Sequence, residues 1–445
     1  MISATYHFPK GFLWGTATAS HQVEGNNTNN NWHAWEQSGH TAHQSGLASD
    51  WWGGRWKEDF DRAAESGQNA HRLSVEWSRI QPAPDRWDEE ALERYRSMLR
   101  GLRDRNITAM VTLHHFTDPL WLSDPDRGIG GWETEAVVPL FEKYVRKVVE
   151  ALQEYCSLWC TINEPNVYSL EGYLRGNFPP GKNDLKLGLV VQANMARAHA
   201  AAYRAIHELQ PEARVGYALH FRPQQAFRPW SPLDRLMRKI KFEGINMAFP
   251  SAISTGVMRS LVGRIPVPEA KGTQDFFGLN YYSVDTVAFD LRRKDELFSR
   301  SFFPEGTDLA DAKMNSNTPE GFYWAIHWAV KTYPGTPILV TENGIEDVSD
   351  RIRPRYMAQH IHQMWRAVNF NWPVKGYFHW SLVDNFEWER GWTQRFGLWG
   401  LDIETQKRSK RPSADLYAAI CKENGLSSEM VERFCPEVFA RLFPK

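Results

Sequence analysis

Short runs rich in apolar, β-branched and aromatic residues recur eight times along the chain, at 12–19, 70–77, 108–115, 158–165, 214–220, 276–282, 338–344 and 374–382. Between them, 88–104, 134–155 and 185–210 return an apolar residue every three or four positions, which is helical spacing. Strands alternating with helices predict an α/β fold with a parallel sheet, and eight such units predict a closed (β/α)8 TIM barrel with long βα loops. A doubly wound open sheet is the competing architecture, but the glycine-rich phosphate turn it needs after the first strand is absent. The connections 221–274 and 291–318 read as loop insertions over the barrel mouth. With no internal repeat, low-complexity tract or linker to divide it, 1–445 reads as one catalytic barrel domain.

What stands at the strand ends points toward chemistry. In the stretch Ile338-Leu-Val-Thr-Glu-Asn-Gly-Ile345, the strand-forming run stops at a carboxylate, and Asn-Gly supplies the turn after it. Leu158-Trp-Cys-Thr-Ile-Asn-Glu-Pro165 has the same design, with proline ending the strand. Glu342 and Glu164 should therefore meet at one edge of the barrel, and paired carboxylates there are the equipment of glycosidic bond cleavage. Other strand ends add Gln22, Arg72, His115, Asn163, Asn280, Tyr282, Trp380, Glu387 and Trp388. Such a set offers donors and acceptors for sugar hydroxyls and a flat floor for a sugar's C–H face. Arg72 suits electrostatic support better than substrate contact. His114 and His115 are adjacent, so their side chains leave opposite faces of the strand, and no metal site is expected.

Composition narrows the partners. Hydrophobic residues make up 42% and charged residues 24% of the chain, with a formal net charge of −1, so nothing calls for nucleic acid. Cys156, Cys160, Cys421 and Cys435 have neither redox nor zinc spacing and are expected to be reduced core thiols. The N-terminus lacks a basic segment followed by a long apolar one, and no apolar run reaches membrane-spanning length. A cytoplasmic protein with no membrane partner is the expectation.

Several blocks in order carry a family resemblance: Phe12-Leu-Trp-Gly-Thr-Ala-Thr-Ala-Ser-His-Gln-Val-Glu-Gly, Arg72-Leu-Ser-Val-Glu-Trp-Ser-Arg-Ile, Thr161-Ile-Asn-Glu-Pro-Asn, Phe277-Gly-Leu-Asn-Tyr-Tyr, Thr341-Glu-Asn-Gly, His379-Trp-Ser-Leu-Val-Asp-Asn-Phe-Glu-Trp and Arg395-Phe-Gly-Leu. Over nearly its whole length the chain resembles glycoside hydrolase family 1, the β-glucosidase and β-galactosidase family of retaining enzymes. The resemblance implies Glu164 as general acid/base and Glu342 as nucleophile. It implies a sugar subsite of Gln22, His115, Asn163, Asn280, Trp380, Glu387, Trp388 and Phe396, with Tyr282 holding the nucleophile. It further implies β-glycosides and oligosaccharides as substrates, and no cofactor. One departure follows the third strand, where Phe116 replaces the family's usual tryptophan. A transglycosylase using the same covalent intermediate is the nearest alternative, and a non-catalytic sugar-binding relative is opposed by the presence of both carboxylates. Glu387, read as a carboxylate, should repel a 6-phosphate and accept from the C4 and C6 hydroxyls of an ordinary hexose. The alternative for it is a surface ion pair with Arg390 or Arg395.

Overall fold

The computed structural model describes residues 3–124, 126, 128–294 and 296–444. Eight parallel strands close into a barrel: β1 (Leu13–Ala17), β2 (Ala70–Ser74), β3 (Thr108–His114), β4 (Leu158–Asn163), β5 (Arg214–His220), β6 (Phe276–Tyr281), β7 (Ile338–Asn343) and β8 (Val374–Trp380). Each pairs with its successor in sequence, and β8 returns to β1. All eight lie within the runs expected from sequence. Several runs overshoot because apolar residues continue into the turn: the run 70–77 ends as strand at Ser74, and Trp77 already opens a helical turn, Trp77–Ile80. Strands of this kind are covered on both faces, and every residue of β2, β4, β6 and β7 is buried.

Helices form the outer layer: α1 (Trp56–Glu65), α2 (Glu89–Arg103), α3 (Val137–Leu152), α4 (Leu185–Leu209), α5 (Pro232–Asn246), α6 (Ala248–Thr255), α7 (Pro319–Thr332), α8 (Arg353–Asn369) and α9 (Pro412–Glu423). The sequence sets their ends. Asp88 and Asp184 cap α2 and α4 by accepting backbone N–H groups, and proline stands in the first turn of α5, α7, α8 and α9, where a missing N–H costs nothing. In α3 the buried residues Val137, Phe141, Tyr144, Val145, Val148, Val149 and Leu152 form one stripe against the barrel. Among the described residues no helix is long and apolar enough to cross a membrane. All four cysteines are free and buried.

The two insertions hold more order than the sequence suggests. Residues 221–274 carry α5, α6 and a hairpin of Val257–Ser260 with Gly263–Pro266. Ser299–Phe302, from the second insertion, joins Asp285–Phe289 and Gln224–Ala226 in a three-stranded sheet. Their apolar residues are only partly covered, with Leu233 and Leu236 of α5 exposed, so no clean periodicity marks them.

Three irregularities in the barrel ladder fall beside the candidate residues, and a fourth, between Ile338 and Leu339, lies at the other end of β7. The register shifts between Leu279 and Asn280 in β6, between Cys160 and Asn163 in β4, and between Val340 and Asn343 in β7. Such shifts re-aim the side chains that follow them.

Candidate active site

Glu342, next to last in β7, is held by a different donor on each oxygen. The Arg72 Nη1 donates to Oε1 at 2.6 Å, and the Tyr282 hydroxyl donates to Oε2 at 2.7 Å. Arg72 rises from β2 and is fully buried, with its Nη2 donating to Asn163 Oδ1 at 2.6 Å and its Nε to Thr112 Oγ1 at 3.0 Å. It is thus a support behind the cavity wall.

Glu164 follows β4 in the left-handed region at φ +46°, a conformation that costs a non-glycine residue about 1–3 kcal/mol. Two neighbours fix it there. Its N–H donates to Ala218 O at 2.8 Å, and Pro165 starts the short helix Pro165–Leu170. Its Oε1 accepts from Asn280 Nδ2 at 2.7 Å, while Asn280 Oδ1 accepts from Thr341 Oγ1 at 2.6 Å, which settles the orientation of the amide. Asn280 Nδ2 also lies 3.2 Å from Asn163 Oδ1. Glu342, Arg72, Asn163, Asn280 and Glu164 therefore form one continuous hydrogen-bonded chain across four strands.

Burial pushes the Glu342 carboxyl up to about 7, with Arg72 pulling it down and Glu164 pushing it further up. The two carboxyls share one cavity wall, so a charge on Glu164 opposes ionisation of Glu342. Burial first, and then the Arg72 and His114 charges, hold His115 well below the usual imidazole range, so it is neutral. His115 Nε2 meets Asn163 Nδ2 at 3.0 Å, and its Nδ1 has no protein partner among the described residues. His114, on the other face, meets Asp118 Oδ1 at 3.0 Å, as adjacent strand residues should.

His115, Asn163, Glu164, Tyr282, Glu342, Trp380, Glu387, Trp388 and Phe396 all line one cavity of about 270 Å³. Trp380 and Trp388 lie roughly parallel to the His115 ring, at 6.1 and 6.0 Å, and Phe396 stands edge-on to Tyr282. Gln22 and Asn280 stand behind this lining, both fully buried. Gln22 Nε2 donates to Phe386 O and Glu387 Oε2, and its Oε1 is unpartnered among the described residues.

Glu387 lines the cavity, as its leading sequence-based reading has it, and differs from that reading in its protonation. It is buried, and its Oε2 accepts from Asn385 Nδ2 at 3.0 Å and Gln22 Nε2 at 3.2 Å. Arg390 pairs instead with Glu389, and Arg395 lies near Asp384, so the surface ion pair does not form. Burial also pushes its carboxyl up to about 8, against the pull of Asn385, so near neutral pH the group carries its proton for much of the time. Repulsion by a fixed carboxylate is therefore not its main effect on a phosphate.

Several cavity residues escaped the sequence reading, among them Arg175, Arg222, Asp285, Asn315 and His220. His220 ends β5 and lies 3.3 Å from Glu164, yet strand five was given no functional residue. Consistent use of the strand-end rule would have found it.

Residues 4–426 match the model of Glycosyl hydrolase family 1. β-Glucosidase A of Thermotoga maritima is 33% identical across 94% of this chain and 98% of its own, and the β-galactosidase of Sulfolobus acidocaldarius is 31% identical across 95% and 96%. The solved β-glycosidase from Pyrococcus horikoshii superposes with a TM-score of 0.89 at 34% identity, covering 97% of this chain and 98% of its own. On barrel, cavity and similarity together, the chain belongs to glycosyl hydrolase family 1 and is a glycoside hydrolase, a β-glycosidase of small-molecule substrates.

Proposed function

We propose that residues 1–445 act as one catalytic unit, an exo-acting β-glycosidase that retains configuration, with Glu342 as nucleophile and Glu164 as general acid/base. The observation that carries this is the unlike surroundings of two carboxyls on one wall. Glu342 receives a guanidinium N–H and a phenol O–H, both of which favour its anion, whereas Glu164 receives an amide N–H and stands beside an imidazole. Glu342 attacks C1 as the C1–O bond breaks, and Glu164 passes its proton to the departing oxygen. The Glu164 carboxylate then takes a proton from water, whose oxygen attacks C1 and releases Glu342. While Glu342 is esterified its charge is gone, which removes the repulsion between the two groups. The cavity lies just below the roughly 300–1,000 Å³ range of ligand pockets, and this small size favours taking a terminal sugar over threading a polymer.

Proton NMR of the first product from an aryl β-glucoside tests the reading, because the β-anomer should appear before mutarotation. The α-anomer appearing first would contradict it.

The acid side of the rate profile should follow Glu342. Since burial raises its carboxyl to about 7 and the reactive form is the anion, kcat/KM should fall as pH drops through that region. Arg72→Met removes the downward pull, so the limb should move to higher pH. A limb that stays or moves lower would count against Glu342 as the nucleophile.

For the sugar, a Glu387 that can both donate and accept suits either orientation of a C4 hydroxyl, so aryl β-glucosides and β-galactosides should both react. A 6-phosphate would bring charge into a buried corner, and the cavity's arginines, Arg175, Arg222 and Arg390, are paired with Glu171, Asp285 and Glu389. The 6-phosphoglucoside should therefore react at least ~100-fold more slowly, about 3 kcal/mol at the transition state. Glu387→Ala should lower kcat/KM for glucoside and galactoside by roughly tenfold or more, as expected when a buried hydrogen-bonding group is lost. Preference for the phosphorylated substrate, or no response to the substitution, would overturn this assignment.

A further inference from the structure

The mechanism makes no use of the outer part of the cavity, which is lined by segments that follow β4, β5 and β6. Val167, Leu170, Glu171 and Arg175 lead outward from Glu164 in successive turns, beginning with the bond from Val167 N–H to Glu164 O at 3.0 Å. α5 closes the other side. Asn166 Nδ2 donates to the carbonyls of His220 and Ile245, at 2.8 and 3.1 Å, while Asn246 accepts from Arg222 N–H at 2.9 Å and donates to Arg222 O at 3.0 Å. These bonds clamp the last turn of α5 to the ends of β4 and β5, and Ile245 of that turn lines the cavity.

The charges here are matched except for one. Arg175, Arg222 and Arg390 line the cavity, and each has a carboxylate: Glu171 at 2.6 Å, Asp285 at 2.8 Å and Glu389 at 3.1 Å. Lys241 stands one turn before Ile245 on the same face of α5, about 6 Å further out along the helix. It is half-buried, and no ion pair or hydrogen bond among the described residues holds its ammonium. Burial first, and then the like charge of Arg175, lower its pKa, whereas Glu296 and Asp285 act on it from beyond pairing distance.

We propose that this outer part of the cavity is a subsite for an aglycone that carries a carboxylate, with Lys241 supplying the cation that selects it. The inference rests on cleavage between Glu164 and Glu342. An acid/base at Glu164 stands beside the glycosidic oxygen, so the departing group extends along the residues that lead outward from it. Val167, Leu170 and Ile245 cover the apolar body of such a group, and beyond them its carboxylate meets an ammonium that has no other anion to pair with. The cation offers nothing to a phosphate on the sugar, because Glu387 follows β8, which stands four places from β4 around the barrel.

The 4-(carboxymethyl)phenyl β-glucoside and its amide test this. The methylene group keeps the two phenols alike as leaving groups, so their ratio of kcat/KM reports the charge alone. In the wild-type protein the acid should be preferred by about tenfold, through KM and not kcat, because the contact is the same before and during bond cleavage. Lys241→Met should bring the ratio near one, Lys241→Glu should invert it, and Lys241→Arg should keep most of it. The amide is each variant's own control, so a general loss of folded protein cancels from the ratio.

No preference in the wild-type protein, or a preference that survives Lys241→Met and Lys241→Glu, would overturn the proposal. Phenyl β-glucoside tells the two possible failures apart. If it is hydrolysed and the carboxylate gains nothing, only the subsite fails. If it is not hydrolysed, the catalytic reading fails and this inference with it.

Discussion

Glu342→Gly is expected to abolish hydrolysis, by about 10⁴-fold or more in kcat, while leaving the barrel folded. The site explains both halves. Removing the side chain leaves Arg72 Nη1 and the Tyr282 hydroxyl pointing at a vacated space that opens onto the cavity. Stranding a buried charge typically costs ~3–5 kcal/mol, but here water can reach the guanidinium and limit that cost. A small anion should occupy the same place. Added azide or formate is therefore expected to restore turnover of an activated aryl β-glycoside, and attack from the nucleophile's side inverts configuration once, giving an α-glycosyl azide or its formate equivalent. Near-normal activity in the variant, or a β-product from the rescue, would show that Glu342 is not the nucleophile.

Glu164→Ala should behave differently. General acid catalysis typically contributes 10²–10⁴-fold, so the loss should approach that range for an alkyl β-glycoside and be far smaller for the dinitrophenyl glycoside. With Glu342 intact the glycosyl ester still forms from the activated substrate, and its hydrolysis becomes slow for want of a base. Azide needs no base and should attack the ester to give a β-glycosyl azide. Steady-state rates on the two substrates, with and without azide, check this, and equal losses on both would contradict the acid role.

The barrel was legible because strands covered on both faces leave runs rich in apolar residues, although β2, Ala-His-Arg-Leu-Ser, breaks the pattern with buried polar side chains. The two glutamates were legible because each run stops abruptly at a carboxylate. What the sequence could not carry was how each group is held. Arg72 reads as support from its position alone, but that its guanidinium divides between Glu342 and Asn163 depends on three strands meeting. The positive φ of Glu164 has no local signature, since proline after it suggests extended backbone. Glu387 shows the same limit. Its place beyond strand eight reads as a carboxylate facing the sugar, and only burial among amides reveals a group that keeps its proton near neutral pH. The insertions failed for another reason: their strands and helices are stabilised against one another, and α5 leaves apolar residues exposed.

The covalent step can be examined most directly by mass spectrometry. A 2-deoxy-2-fluoro β-glucoside with a dinitrophenolate leaving group should form the glycosyl ester readily but hydrolyse it slowly, because fluorine destabilises the positive charge that develops at C1 in both steps. Peptide mapping of the inactivated protein should find one added fluorosugar, carried by Glu342. A sugar attached to Glu164 or another residue, or turnover without any covalent adduct, would contradict the account.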